Sequence, residues 1–190
     1  MTRPSAQSTP ARIAGAALEV LRERGAAGLT MRQVATRAGL ALSNVQYHYP
    51  SREALLVGLV DHHFAACDEA MERAQARAGE PSLEATLRVS LCDEEVLAAA
   101  PVFRELFALA RTEPGVRARL RERYRAILEA GIERLAHETA DVPRERLAEV
   151  VTVLLTAIEG AYLLDDVVEV RGERLAEVLL DVARSMLGQS

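Results

Sequence analysis

Apolar residues recur with a helical period along almost the whole of this 190-residue chain, and no stretch alternates as a half-buried strand does. Ala, Leu, Glu and Arg dominate the sequence, and all four are strong helix formers. A chain of this length has one or two domains and buries a substantial core. The sequence therefore predicts an all-α protein of about nine helices.

Capping and breaking residues set the expected helix ends. Thr9 is the predicted N-cap of the first helix and Gly25 its end. Thr30 is the predicted cap of the second, and Ser51 that of the fourth, which should run to about residue 78. The third is expected from about residue 42 to residue 49, and Pro114-Gly115 is expected to be a turn. The remaining helices are predicted at about 83–99, 101–112, 116–139, 144–164 and 172–187.

Residues 29–56 carry the spacing of a helix-turn-helix unit. Ala35 is a small residue at the predicted helix crossing, and Gly39, four residues later, suits a turn that needs a positive φ. Leu40 and Val45 supply the apolar residues that such a unit buries, and Val34 completes a small core. A plain pair of packed helices without a ligand would share these positions, so the exposed face of the third helix decides between the two interpretations.

That exposed face carries hydrogen-bonding groups instead of the Glu or Arg that usually fill an idle helix. Asn44 and Gln46 each offer a donor and an acceptor, the pattern that reads adenine, and Arg32 suits guanine. Leu42 is a candidate for contact with a thymine methyl group. The candidate phosphate contacts, which position the protein without reading sequence, are Thr30, Ser43, Tyr47, His48 and Arg52. An alternative for His48 is a packed histidine beside the first helix.

The net charge of −5 conceals an uneven distribution. Residues 1–52 contain seven Arg against Glu19 and Glu23, so this part carries +5 and the remainder −10. A basic head suits a polyanion, and an acidic body repels phosphate. Because all 23 basic residues are Arg, the Arg content alone is better explained by a GC-rich genome than by phosphate binding. The charge pattern and the exposed helix face together predict sequence-specific binding of double-stranded DNA.

With these residues in place, the chain resembles the TetR family of transcriptional regulators. The resemblance lies in GLT at 28–30, AxxAG at 35–39 and YHYPSREALL at 47–56. Gln46 stands where the family commonly has a phosphate-binding Tyr, and Ser43 where Gly is common. The resemblance implies an all-α homodimer in which the last two helices of each chain form a four-helix bundle. It also implies a repressor that binds a palindromic operator and is released by a small molecule.

The C-terminal sequence is compatible with such a dimer. Residues 150–158, VVTVLLTAI, are apolar nearly all round, so that this helix must be covered on more than one side. The last helix has a wide apolar face as well, and the alternative is a deeply buried core of a monomer. The predicted organisation is a disordered arm at 1–9, a helix-turn-helix DNA-binding domain at 10–56, and a ligand-binding and dimerisation domain at 57–190.

A small-molecule pocket is expected within the second domain, although core packing is the commoner role for each residue taken alone. With three Phe, four Tyr and no Trp, the chain favours an aliphatic or acyl-like effector over an aromatic cage for cations. The candidate lining residues are Phe64, Leu87, Leu91, Phe103, Phe107, Tyr124, Leu128, Ile158, Glu159 and Tyr162.

Other functional classes find little support. No phosphate-binding loop, dinucleotide-binding glycine pattern, HExxH motif or nucleophile elbow occurs, so no enzymatic activity and no cofactor are predicted. The stretch Asp61, His62, His63, Cys67 and Asp68 contains metal-ligand types, yet a polar stretch around one thiol is the better interpretation. No signal peptide or membrane span is predicted, which indicates a cytoplasmic protein. The rival to a regulator is a dimeric helical adaptor that binds protein partners.

Overall fold

The computed structural model describes residues 8–79, 82–139, 141–164, 167–168 and 172–188. Helices form ten segments of this part of the chain, and it contains no strand. The predicted all-α fold is therefore confirmed. The helices are α1 (Thr9–Gly28), α2 (Met31–Ala38), α3 (Leu42–His48), α4 (Arg52–Ala78), α5 (Leu83–Cys92), α6 (Glu94–Leu97), α7 (Ala100–Thr112), α8 (Pro114–Glu138), α9 (Arg144–Leu164) and α10 (Gly172–Met186).

The prediction of about nine helices is confirmed, but the segment 83–99, predicted as a single helix, forms α5 and the four-residue α6. It is interrupted at Asp93, whose backbone is extended at φ −77° and ψ 121°. The Asp93 carboxylate accepts hydrogen bonds from the backbone N–H groups of Glu95 and Val96, at 3.0 and 3.3 Å. Asp93 thereby caps the single-turn helix α6, a role in which an Asp side chain competes with helix continuation.

Three further helix ends differ from the prediction. The N-cap of α1 is Ser8, not Thr9, and its hydroxyl oxygen accepts from Ala11 N at 3.4 Å. Helix α1 continues past Gly25, where it is kinked, to Gly28. Pro114 begins α8 instead of forming a turn, because a first-turn proline leaves no helical hydrogen bond unmade. The predicted arm at 1–9 lies outside the described residues up to residue 7, and Ser8 and Thr9 belong to the start of α1.

The chain divides into two compact units. The first comprises residues up to Ala66 together with Arg104–Leu120, and the second comprises Cys67–Phe103 and the residues from Arg121 onward. The sequence places its domain boundary after residue 56; that boundary and the division at Ala66 both fall inside α4. In the first unit α2 packs on both α1 and α3. The buried residues of the first unit include Ile13, Ala17, Val20, Leu21, Val34, Val45, Leu55, Leu56, Leu59 and Val60.

The core of the second unit is built by α5, α9 and α10, which pack on one another, together with side chains of α8. Each helix contributes apolar side chains at helical spacing, as an amphipathic helix should. The cluster contains Leu87, Leu91, Ile132, Leu135, Leu147, Val150, Leu154, Ala161, Ala176, Leu179 and Ala183.

Helix α9 is more apolar than one buried stripe requires. By length and composition alone it is able to cross a membrane, with a mean hydropathy of 1.7 over its most apolar window, of which 22% is buried. One such helix is weak evidence for a membrane span, because core helices of soluble proteins meet the same criterion of length and hydropathy. Leu147, Val150 and Leu154 pack in the core of the second unit, whereas Val153, Leu163 and Leu164 are exposed.

Candidate functional site

The helix-turn-helix geometry follows from local hydrogen bonds. Thr30 caps α2, with its side-chain oxygen accepting from Gln33 N at 3.3 Å. Gly39 ends α2 in the left-handed region, at φ 63° and ψ 38°, where a residue with a Cβ atom is disfavoured. The Leu40 N–H group then donates to Ala35 O at 2.9 Å, which completes the turn into α3. Val45 of α3 is fully buried. The predicted helix-turn-helix unit is confirmed.

Helix α3 presents polar side chains to solvent. Ser43, Asn44 and Gln46 are exposed, and 82% of Tyr47 is accessible. Leu42 and His48 are half-buried at the edges of this face. We call Ser43, Asn44, Gln46 and Tyr47 the recognition face.

Within the recognition face, Tyr47 is positioned against its neighbour. The rings of Tyr47 and His48 meet edge to face, with centroids 5.1 Å apart. His48 is half-buried, a placement that suits both a phosphate contact and the alternative of a packed histidine. The choice between those two roles therefore stays a prediction.

Tyr49 anchors the recognition face to α1, and sequence reasoning did not identify this role. Its hydroxyl group donates to Pro10 O at 3.3 Å. Its ring lies against Gly58 of α4, so closely that a Cβ atom at residue 58 would be 2.4 Å from the ring. In the sequence, the only indication of this contact is a Gly eight residues after Pro50. The structure is needed to show that Tyr49 and Gly58 meet.

Basic side chains continue the exposed polar surface from α2 towards α1. Arg32 is exposed and lines an open concavity of about 450 Å³ between these helices. Arg24, which the sequence did not single out, and Arg37 line the same concavity. Arg37 is held by ion pairs with Glu23 and, next in effect, Glu19, which raise the pKa of its guanidinium group. Arg24 and Arg32 are therefore better placed than Arg37 to meet a phosphate.

Arg52, a predicted phosphate contact in the first turn of α4, forms an ion pair with Glu113. Glu113 directly precedes α8, and both residues belong to the first unit. The two side chains are partly exposed, at 41% for Arg52 and 25% for Glu113. The Arg52 guanidinium group accordingly has a carboxylate partner when DNA is absent.

The structure separates the ten predicted pocket residues into two groups. Phe64 and Phe107 belong to the first unit, where Phe64 is buried and Phe107 is exposed. The other eight belong to the second unit. Among these, Leu87 and Leu91 are core residues and Ile158 packs against them, while Leu128 is half-buried. The remaining four, Phe103, Tyr124, Glu159 and Tyr162, form what we call the Glu159 cluster.

The Glu159 cluster places one carboxyl group among aromatic rings. The rings of Phe103 and Tyr162 are stacked, 6.3 Å apart and inclined by 17°. The Tyr162 hydroxyl group donates to Ser90 O at 2.7 Å. Burial raises the pKa of the Glu159 carboxyl group to about 7, while the hydroxyl group of Tyr124 favours its charged form. Burial, and next the charge of Glu159, raises the pKa of Tyr124.

The stretch with metal-ligand residue types is accounted for by ion pairs and packing. Arg119 pairs with Asp61, and Arg123 pairs with Asp68. His63 is buried, and burial lowers its pKa to about 4. Among the described residues, no group of three or more His, Cys, Asp or Glu side chains is arranged to hold a metal ion.

Comparisons with known proteins agree with this geometry. The sequence profile of the tetR family of bacterial regulatory proteins matches residues 13–59, which include α2 and α3. An uncharacterised helix-turn-helix transcriptional regulator in the dhlA 5′ region of Xanthobacter autotrophicus is 35% identical over 182 residues, covering 91% of this chain and 89% of that protein. The helix-turn-helix unit, in a chain similar to a transcriptional regulator over 91% of its length, defines a DNA-binding transcriptional regulator.

The protein belongs to the tetR family of bacterial regulatory proteins. Solved structures share its fold. A transcriptional regulator from Rhodococcus sp. Rha1 superposes with a TM-score of 0.70 at 22% identity, covering 95% of each chain. The multidrug binding protein EbrR, solved in complex with imidazole, gives 0.67 at 23% identity, covering 93% of this chain and 96% of EbrR.

Proposed function

We propose that this regulator binds a palindromic operator as a homodimer, represses transcription there, and is released by a small molecule. The observation that carries the proposal is the recognition face, with Asn44 and Gln46 exposed on a short helix held by a buried Val45. Amide side chains on such a face pair with adenine edges in the major groove. Arg32, at the start of α2, lies outside that helix and is a candidate for guanine or phosphate.

The exposed apolar side chains of α9 and α10 support a dimer. Val178 and Val182 lie on one face of α10 and are 40% and 37% exposed. On α9, Val153, Leu163 and Leu164 are exposed. Two adjacent helices with apolar faces open to water gain stability when a second copy covers them. We infer that the bundle implied by the family resemblance forms through these faces.

Val182→Glu tests this interface. A carboxylate in an apolar interface is costly to desolvate, so we expect the variant to sediment as a monomer and to lose tight binding to a palindrome. Arg184→Glu is the matched control, because it introduces the same side chain on the other flank of α10. If Val182→Glu remains a dimer, the proposed interface is wrong. If both variants dissociate, added charge and not the apolar face is responsible.

An effector is proposed for the second unit, which holds the Glu159 cluster. The name of EbrR as a multidrug binding protein supports ligand binding by this fold without indicating which ligand binds here. We propose further that the protein is cytoplasmic and binds DNA and effector without catalysing a reaction. An adaptor for protein partners remains the alternative, and the two differ in whether the chain selects a DNA sequence.

Selection of bound duplexes from a random pool separates these functions. A dimer reading DNA through α3 should enrich a palindrome with half-sites about one helical turn apart, or a multiple of that distance. An adaptor should enrich no sequence, even at low salt, where binding to phosphates is strongest.

A further inference from the structure

We propose that the effector is an aromatic or hydrophobic amine whose protonated nitrogen pairs with the carboxyl group of Glu159 in the Glu159 cluster. This inference rests on the proposed function, since it names the chemical class of molecule that the second unit binds.

The carboxyl group of Glu159 has one buried oxygen atom, Oε2, without a hydrogen-bond partner among the described residues. A buried carboxylate oxygen normally has a hydrogen-bond or ion-pair partner, because desolvation of the charged group is costly. Glu159 lies in the second half of α9, the most apolar helix of the chain, where an Ala or Leu would serve packing better. A carboxylate left in this way suits a donor brought by a ligand.

The surrounding rings indicate which donor fits. Tyr162 is one turn from Glu159 on α9, is stacked on Phe103, and is held by its hydrogen bond to Ser90 O. Burial, and next the charge of Glu159, raises the pKa of Tyr124 and of Tyr162. Aromatic faces attract cations, and a carboxylate beside them adds a charge-assisted hydrogen bond.

Charge also excludes other ligands. An anionic ligand, such as the carboxylate of a fatty acid, would place a like charge beside Glu159 in a medium of low dielectric constant. Composition favours an aliphatic or acyl-like effector; we favour an amine because the Glu159 cluster combines one carboxyl group with three of the seven aromatic residues. Composition counted the aromatic residues but did not reveal that they are neighbours.

The test uses the full-length protein and three probes with the same naphthyl body. Naphthylethylamine carries a cation, naphthylethanol a neutral donor and naphthylacetate an anion. Binding is measured by calorimetry for the wild type, for Glu159→Gln and for Glu145→Gln. Glu145 is an exposed residue of the same helix, so its substitution removes an equal charge outside the cluster. Thermal unfolding of each variant shows that it folds.

We expect the amine to bind the wild type at least about 10-fold more tightly than the alcohol does. Glu159→Gln should abolish this preference, and Glu145→Gln should retain it. Because the carboxyl group must lose its proton to pair with the amine, amine binding to the wild type should tighten as the pH rises through 7. Equal binding of all three probes, no binding of the amine, or the same behaviour in both variants would overturn the inference.

The DNA-selection experiment keeps this inference distinct from the proposed function. If a palindrome is enriched but the amine shows no preference for Glu159, the regulator stands and the effector class is wrong. If the amine binds through Glu159 but no sequence is enriched, the ligand site stands and DNA regulation is wrong. Addition of the amine to the protein bound to its selected duplex then tests whether binding releases DNA.

Discussion

Arg52 and Glu113 form an ion pair across 61 positions of sequence, joining the first turn of α4 to the residue before α8. Arg52 is also a candidate phosphate contact, at a helix N-terminus that itself favours anions. A single guanidinium group binds either the carboxylate or a phosphate more strongly than it binds both at once. Glu113 is therefore expected to weaken binding of DNA by competing for Arg52.

Glu113→Gln should strengthen binding to the selected operator about two- to fivefold, the range that follows from the energy of a partly exposed ion pair. The measurement is the Kd by fluorescence anisotropy at fixed salt concentration. Glu53→Gln is the control, because it removes one negative charge from the same turn of α4. The excess of Glu113→Gln over Glu53→Gln should vanish when Arg52 is already replaced by Ala; persistence of the excess would show that Arg52 is not involved.

The recognition face should be divisible into residues that read bases and residues that bind phosphate. Asn44→Ala and Gln46→Ala should each reduce discrimination between the operator and single-base variants, by about 1–3 kcal/mol at one position. Arg52→Ala should instead weaken binding to all duplexes alike and lower the slope of log Kd against log salt concentration by about one. Competition binding against a set of single-base variants distinguishes the two outcomes. Uniform weakening by Asn44→Ala would assign that residue to the phosphates.

Gly58→Ala should destabilise the protein because the ring of Tyr49 occupies the space that a Cβ atom needs. We expect the free energy of unfolding to fall by about 1–3 kcal/mol, the usual cost of overpacking. Gly15→Ala in α1 is the control, since its Cβ atom would meet His62 at an ordinary 3.5 Å and an Ala favours the helix. Urea unfolding measures both variants. Equal stability of the two would show that Tyr49 moves aside without cost.

Helix ends were predictable where a local residue determines them. The Thr30 and Ser51 caps, the Gly39 turn and the bounds of α4 and α9 follow from side chains within one turn of the helix end. The break at Asp93 was missed because its neighbours are good helix formers. The Asp93 carboxylate caps α6 and also pairs with Arg77 of α4 at 2.8 Å, a contact that the local sequence does not reveal.

The candidate site likewise has a part that was predictable from the sequence and a part that was not. The recognition face was predictable, since seven residues of one helix and the period of 3.6 determine which side chains point outward. The Arg52–Glu113 pair and the Glu159 cluster join segments distant in sequence, and the contact of Tyr49 with Gly58 joins the end of α3 to α4. Periodicity contains no information about which distant helices become neighbours, so these contacts required the structure.

His63 should make stability depend on pH. Its pKa in the folded protein is lowered to about 4, chiefly by burial and also by the charges of Arg22 and His62. The unfolded chain, with a pKa near 6.5, binds the proton more readily, so the free energy of unfolding should rise with pH between about 4 and 6.5. The contribution of His63 to this rise is at most about 3 kcal/mol.

The difference between wild type and His63→Leu isolates this contribution from that of the carboxylates. Unfolding by urea at several pH values should give a difference that changes between pH 4 and 6.5 and is constant above about 7. A difference that is constant throughout the range would show that His63 titrates normally in the folded protein.

The central claim is that α3 reads DNA sequence, and selection from a random duplex pool tests it most directly. The wild type should enrich a palindrome, and Asn44→Ala with Gln46→Ala should enrich it less sharply while still binding at low salt. Enrichment of no sequence by a correctly folded wild-type dimer would contradict the claim.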